Sequence, residues 1–279
     1  SGVSFFINDF KEDFIMKIGF IGCGNMGSAM IGGILRQGIF SKEDIIVSNL
    51  TPEGKARSEK NLGVVTTLDN KEVVRSAKTV VLAVKPQFYE EVLDEVHDSL
   101  TEEHTIIGIA PGKTLAWLEE KAGLPLKVVR FMPNTPAQVG EGMTAVCANE
   151  RVSQEELAEI LKITDSFGCT EVIPERLMDA AGAVGGCAPA YVFMFIEAMA
   201  DAAVSQGMPR KQAYKFASQT VLGSAKMVLE TGRHPGYLKD MVCSPAGTTI
   251  EGVRTLEKNG FRSAVFEALT AAAEKGKKL

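Results

Sequence analysis

Residues 16–35, MKIGFIGCGNMGSAMIGGIL, run from a short apolar stretch into the spacing G-x-G-x-x-G at Gly22, Gly24 and Gly27, and then into a helical pattern. A strand that feeds a helix through such a turn suits a dinucleotide. The first glycine permits the tight turn, the second lets the backbone approach a pyrophosphate, and the third lets helix and strand pack closely. The pyrophosphate would rest on the free N–H groups of the helix start. The spacing alone is a weak signal, and a merely structural turn is the alternative; its place between strand and helix gives it weight.

Working outward, the apolar runs KIGFIG, DIIVSN, LGVVTT, KTVVLAV, HTIIGIA and KVVRFMP recur about one helix length apart. Short β-rich runs alternating with helical segments imply βαβ units on a parallel sheet. The expected fold class is α/β: a Rossmann-like, doubly wound, mostly parallel sheet over 16–173, ending at CTEVI. After Pro174 the texture turns Ala-, Met- and Leu-rich without a further convincing strand. The segment APAYVFMFIEAMADAAVSQG is apolar on nearly every face at first, which marks a helix buried all round. PRKQAYKFASQTVLGSAKMVLETG ends at Gly232, and two more helices are expected near 247–258 and 261–276. A second, all-helical domain over 174–279 follows, and one long apolar helix in so small a bundle implies a dimer core. Residues 1–15 precede a Met16 that looks like a natural start; they are read as an extension or a scar and set aside.

The 279 residues are 45% hydrophobic and 23% charged, with a net charge of −5 and a pI near 5.4. Such a balance gives no basic footprint for nucleic acid or an anionic membrane surface. Cys23, Cys147, Cys169, Cys187 and Cys243 are scattered singly, and His97, His104 and His234 show no ligand spacing. No metal and no disulfide framework is expected, and a reducing, cytoplasmic compartment is. No window is read as approaching the 18 or so apolar residues of a membrane span, so no membrane partner is expected.

The end of the second strand identifies the dinucleotide, because an acid there would hold the ribose 2′-OH of NAD. The chain reads VSNLTPEGKAR, with Ser48, Asn49 and Thr51 in that region and Lys55 and Arg57 following. With no carboxylate guarding the 2′ position, NADPH is the expected cofactor and NADH the alternative; Asn49 as a plain turn residue is the rival reading. FAD is set aside because its binders usually need a much longer chain.

Three further stretches carry more: LAVKPQ (82–87), VVRFMPNTPAQVGEGMTAV (128–146) and HPGYLKDMVCSPAGTTIEGVRTLEKNGFRSAV (234–265). Together with GFIGCGNMG they resemble the pyrroline-5-carboxylate reductase family, from Met16 to about Arg262. The resemblance implies an NAD(P)H-binding Rossmann domain, a helical dimerisation domain and dimers assembled into larger rings. It implies cofactor contacts at Ile21, Gly22, Cys23, Gly24, Asn25 and Met26, at Asn49 and Asn70, and at Val84, Lys85 and Pro86. It implies a substrate carboxylate held by Ser244, Gly247, Thr248 and Thr249. That last loop also makes physical sense alone, since Gly247 frees the backbone just before a helix whose N–H groups and hydroxyls suit an anion; an ordinary Ser/Thr cap is the alternative. Two departures stand out. GGCAPAY replaces the family's GSGPAY, with Cys187 most simply a small apolar residue, and Gly232 stands near a position where some members carry an acid.

Reducing a cyclic imine needs a hydride donor, a clamp that aims the C=N carbon, and a protonated nitrogen. The nitrogen can arrive protonated, so positioning supplies most of the rate. Lys85 is read as a cofactor or structural residue first and a proton donor second. Thr249 is the leading residue for hydrogen bonding the substrate, whereas Tyr191, Glu197 and Asp240 have structural readings. Asn134 either approaches the nicotinamide carboxamide or holds a structural turn. Two rivals remain: a β-hydroxyacid-type reductase using Lys211, Lys215, Lys226 or Lys239, and a non-catalytic NADP-sensing dimer.

Overall fold

The computed structural model describes residues 14–277. All six runs from KIGFIG to KVVRFMP become strands: β1 (Ile18–Ile21), β2 (Ile45–Ser48), β3 (Val65–Thr67), β4 (Thr79–Leu82), β5 (Thr105–Gly108) and β6 (Lys127–Met132). They lie parallel. Between them run α1 (Asn25–Arg36), α2 (Pro52–Leu62), α3 (Asn70–Ser76), α4 (Tyr89–Val96) and α5 (Leu115–Ala122). Beyond β6 come β7 (Gly142–Ala148), α6 (Gln154–Asp165), β8 (Gly168–Val172) and the short α7 (Met178–Ala181). Among the described residues the sheet has eight strands in the order β3-β2-β1-β4-β5-β6-β7-β8. The order reverses between β1 and β4, the point where doubly wound sheets bind ligands.

The sheet is apolar on both faces because helices cover both. On one side Ile18, Phe20 and Val47 pack with Met30, Ile31 and Ile34 of α1 and Ile160 and Ile163 of α6. On the other, Ile21, Val80 and Leu82 pack with Val73 and Val74 of α3 and Tyr89 and Leu93 of α4. The period-2 alternation of β1 places Gly19 under α3, where a Cβ would lie 2.5 Å from Val73 Cγ1.

Strand β7 was not expected. It returns antiparallel to β6, pairing Arg130 with Cys147 and Met132 with Ala145. The intervening PNTPAQVGEG is dense with turn formers and reads as loop. It folds into a short 3-10 turn, Thr135–Val139, closed by Gly140 at φ +79°, which reverses the chain. Phe14, set aside with the N-terminal extension, is also part of the fold: its ring stands edge-on to His104 at 5.0 Å. Residues 1–13 lie outside the described region.

The chain divides into two compact units between Gly185 and Gly186, later than the composition change at 173/174. The first unit keeps α7 because Met178 is buried with Met132, Ala145 and Cys147. The second unit is helical: α8 (Ala188–Ser205), α9 (Arg210–Thr231), α10 (Pro235–Val242), α11 (Thr248–Lys258) and α12 (Phe261–Gly276). The expected helix bounds hold, and only α10 was not foreseen, its eight residues lying in a stretch with Pro235 and Pro245 near its ends. Helices α8 and α9 form a hairpin across Gly207, with Ala200, Ala213 and Ala217 buried. Gly232 closes α9 in the left-handed conformation.

Two expectations need correction here. The helix read as buried all round is exposed within one chain, with Phe193 at 62% and Met194 at 67%. Moreover, Glu175–Ser205, 31 residues, is long and apolar enough to cross a membrane by length and composition. The apolar character of that span continues through the glycine-rich GAVGGC, a π-helical turn that in sequence reads as a break.

Candidate active site

Since β1 and β4 are neighbours, the loops leaving them meet. Ala83 N–H donates to Ile21 O at 2.8 Å. Gly22 sits at φ +92°, and a Cβ there would come within 2.9 Å of both Ala83 O and Val84 Cγ1. A side chain is thus excluded by conformation and by space. Gly24 is the extended cap residue of α1, with no side-chain cap and open space where a Cβ would be. Gly27 lets α1 approach, a Cβ there lying 3.3 Å from Ala83 Cβ. The structure therefore brings Ile21–Met26 together with Val84, and places Lys85 and Pro86 at the start of the short turn Pro86–Phe88. Lys85 is exposed.

The wall opposite is fixed by a residue that sequence reasoning missed. Tyr89 is fully buried; its hydroxyl donates to Leu82 O at 2.6 Å and accepts from Ile109 N at 2.9 Å and Ala110 N at 3.0 Å. It ties the β4 and β5 ends together. Burial holds its phenol well above the ordinary range, so the donor is present at all working pH values. Arg130, 3% exposed, is likewise paired with Glu175 at 2.7 Å, and the same carboxylate oxygen accepts from Leu115 N.

Asn49 follows β2 and is 8% exposed. Its Oδ1 accepts from Ser58 Oγ at 3.0 Å, while Nδ2 has no partner. A buried donor left open is uncommon in folded proteins and asks for a ligand acceptor. Asn70 is engaged at both amide atoms: Oδ1 accepts from Ser48 Oγ at 2.6 Å and Nδ2 donates to Glu95 at 2.7 Å. Asn134 also uses both, accepting from Met143 N and donating to Gly185 O, so it holds the β6–β7 reversal. A cleft of about 770 Å³ opens beside the glycine loop, lined by Cys23, Gly24 and Asn25 and by Arg57 and Ser58. Open glycine backbone, an unpartnered amide and a cationic lining fit a nicotinamide dinucleotide.

In the second unit, α10 ends at Val242 and beyond Cys243 the chain turns through Ser244–Gly247, with Gly247 N–H donating to Ser244 O at 3.1 Å. Ala246 stands at φ +57°, unique among the described non-glycine residues. Gly247 caps α11 in extended conformation with no side-chain cap, and a Cβ on it would collide with Ser244 Oγ. The Ser/Thr-cap alternative therefore fails: Thr248 and Thr249 are exposed first-turn residues, and the helix start keeps its amides open. By contrast Thr51, Asp69, Thr114 and Ser153 cap α2, α3, α5 and α6 with their side chains. Of the lysines a β-hydroxyacid-type reductase would need, Lys226 pairs with Glu230. Lys239 pairs with Asp240 at 2.6 Å, a contact that holds its pKa above the ordinary value. The described residues contain no cluster of three potential metal ligands.

Residues 175–279 match the family described as pyrroline-5-carboxylate reductase dimerisation, and residues 17–112 match the family described as NADP oxidoreductase, coenzyme F420-dependent. Pyrroline-5-carboxylate reductase of Escherichia coli is 52% identical over 94% of this chain and 98% of that protein. The enzyme of Methanosarcina acetivorans is 44% identical over 94% and 97%. The crystal structure of Plasmodium falciparum pyrroline carboxylate reductase with NADP bound is 37% identical, with a TM-score of 0.86 over 95% of this chain and 98% of that one.

Proposed function

The chain belongs to the pyrroline-5-carboxylate reductase family, and from that premise we propose that it reduces the C=N bond of 1-pyrroline-5-carboxylate to L-proline, the last step of proline biosynthesis. It is a nicotinamide-dependent oxidoreductase. NADPH is the preferred donor and NADH the alternative. The observation that carries the reading is the loop Ser244–Thr249, where an extended Gly247 opens onto a helix start without a side-chain cap.

Residues 16–173 hold the cofactor and residues 174–279 the substrate and the dimer contact. A bound nicotinamide supplies the hydride, which adds to the imine carbon while the nitrogen, already protonated, becomes the amine of proline. This chain's residues do the rest. The N–H groups at Gly24–Met26 receive the pyrophosphate, Asn49 Nδ2 meets the adenosine ribose, and Asn70 acts by fixing Ser48. Val84, Lys85 and Pro86 form the cofactor wall, and Lys85 comes second as a proton source. Ser244, Thr248 and Thr249, with the amides after Gly247, hold the carboxylate, and Thr249 orients the ring. Such fixed donors act mainly by positioning.

The protein is a homo-oligomer acting on a small molecule. The exposed Phe193 and Met194 belong to a face covered by a second copy, in a dimer that builds a larger ring, rather than by lipid. Five unpaired thiols suit a cytoplasmic location. The test is loss of nicotinamide absorbance with NADPH and pyrroline-5-carboxylate. No oxidation of either NADPH or NADH would overturn the reading.

A further inference from the structure

We infer that Arg57 on α2 selects a dinucleotide that carries a 2′-phosphate, an inference that rests on the nicotinamide-dinucleotide reading above. Two cations follow β2 in sequence, Lys55 and Arg57, and the structure separates them. Lys55 Nζ lies 2.6 Å from Glu59 Oε1, which also accepts from Thr66 Oγ1 at 2.6 Å. These two hydrogen bonds hold the Glu59 carboxyl below its ordinary pKa, so it stays ionised and paired with Lys55. Arg57 lies on the other flank of the helix and lines the cleft that opens from Cys23, Gly24 and Asn25. It has no ion pair among the described residues, and no carboxylate lines that cleft.

The buried amide gives the second, independent observation. Ser58, the residue after Arg57, lines the same cleft and donates to Asn49 Oδ1. That bond fixes the Asn49 side chain and leaves Nδ2 without an acceptor in a residue 8% exposed. A phosphate oxygen at the ribose 2′ position supplies one. The position directly after Asn49 offers nothing ionic, since it is Leu50, 94% exposed. Arg36 and Lys42 also line the cleft, but of the cations that follow Asn49 in the chain Arg57 alone does, with its neighbour Ser58 bonded to Asn49. Arg57 is the sixth residue of α2, and helical side chains lean towards the helix N-terminus, here the end that begins beside Asn49. A planar guanidinium matches two phosphate oxygens at once.

The test compares Arg57→Gln and Lys55→Gln with the unmodified full chain, in the imine assay with NADPH and with NADH, and in direct titration with 2′,5′-ADP and with 5′-AMP. In Arg57→Gln the NADPH-over-NADH ratio of kcat/KM falls about tenfold, the size expected for a lost charge-assisted contact. The advantage of 2′,5′-ADP over 5′-AMP falls with it, and Arg57→Lys recovers part of both. A ratio that moves in Lys55→Gln and not in Arg57→Gln overturns the assignment and passes the role to Lys55. Equal losses on both nucleotides overturn it too, because they signal a folding defect. The two titrations need no imine: loss of 2′,5′-ADP selectivity in a chain that reduces no pyrroline-5-carboxylate supports Arg57 and refutes the reductase reading, whereas an active reductase with an unmoved ratio does the reverse.

Discussion

Tyr89→Phe isolates one hydroxyl at the sheet's ligand-binding edge. The ring is fully buried, and its oxygen serves Leu82 O, Ile109 N and Ala110 N at 2.6, 2.9 and 3.0 Å. Phenylalanine keeps the ring and its packing but strands one carbonyl and two amides. At about 1 kcal/mol for each buried group left unpaired, the low end of the usual range, the loss is about 3 kcal/mol. Urea unfolding at a single protein concentration measures it, since oligomers gain stability with concentration. The midpoint should fall with little change in slope. The same hydroxyl holds the β4 end from which Ala83, Val84 and Lys85 depart, so KM for NADPH should rise more than KM for the imine. A loss below about 1 kcal/mol would show that water or a shifted backbone satisfies all three groups, and the reasoning about the wall would be wrong.

Other perturbations address the second unit and the pH response. Thr249→Val should raise KM for pyrroline-5-carboxylate and leave NADPH binding as it was; weakened NADPH binding instead would mean the residue is misplaced. Ala246→Gly relieves a left-handed alanine at φ +57° and should stabilise the protein by about 1 kcal/mol, read as a higher unfolding midpoint; no gain would mean the loop is unstrained. Cys147 is 4% exposed, and burial pushes its thiol up to about 11 from 9.0. A raised folded pKa gives stability that is whole below the unfolded value and lost as pH climbs through the folded one. The unmodified protein should therefore lose stability between pH 9 and 11 more steeply than Cys147→Val, and parallel curves would refute the assignment.

The first unit was readable because local signals coincide with global ones. Apolar runs at helix-length intervals become β1–β6, and a glycine-rich turn after the first of them lies where the strand order reverses. Residues whose roles depend on distant partners were less readable. Asn70 and Asn134 look alike in sequence to a ligand-binding amide, yet the groups that occupy them, Ser48 and Glu95 for one, Met143 and Gly185 for the other, come from 9 to 51 residues away. Strand β7 hid behind turn formers for the same reason: its pairing with β6 is made only after the chain reverses. The exposure of α8 was hidden too, because hydropathy reports that a helix needs cover without saying whether its own chain provides it.

Both proposed anion sites lie at a helix start whose cap position is an extended glycine. Four helices of the first unit carry side-chain caps at Thr51, Asp69, Thr114 and Ser153, and His234 caps α10, whereas α4, α7, α8, α9 and α12 do without one. A missing cap costs about 1 kcal/mol. At α1 and α11 the cap position is instead a glycine, Gly24 and Gly247, in extended conformation. A Cβ on Gly247 would have to displace only the rotatable Ser244 hydroxyl, and at Gly24 there is open space, so sterics enforce glycine at neither. Extended glycines at the starts of α1 and α11 leave those first-turn amides without a side-chain cap, and the unpartnered amide of Asn49 is a further polar group that a ligand would complete. For Gly24 this yields a sharp expectation: Gly24→Ser would fit, supply the cap and stabilise α1, while its hydroxyl occupied the N–H groups meant for pyrophosphate.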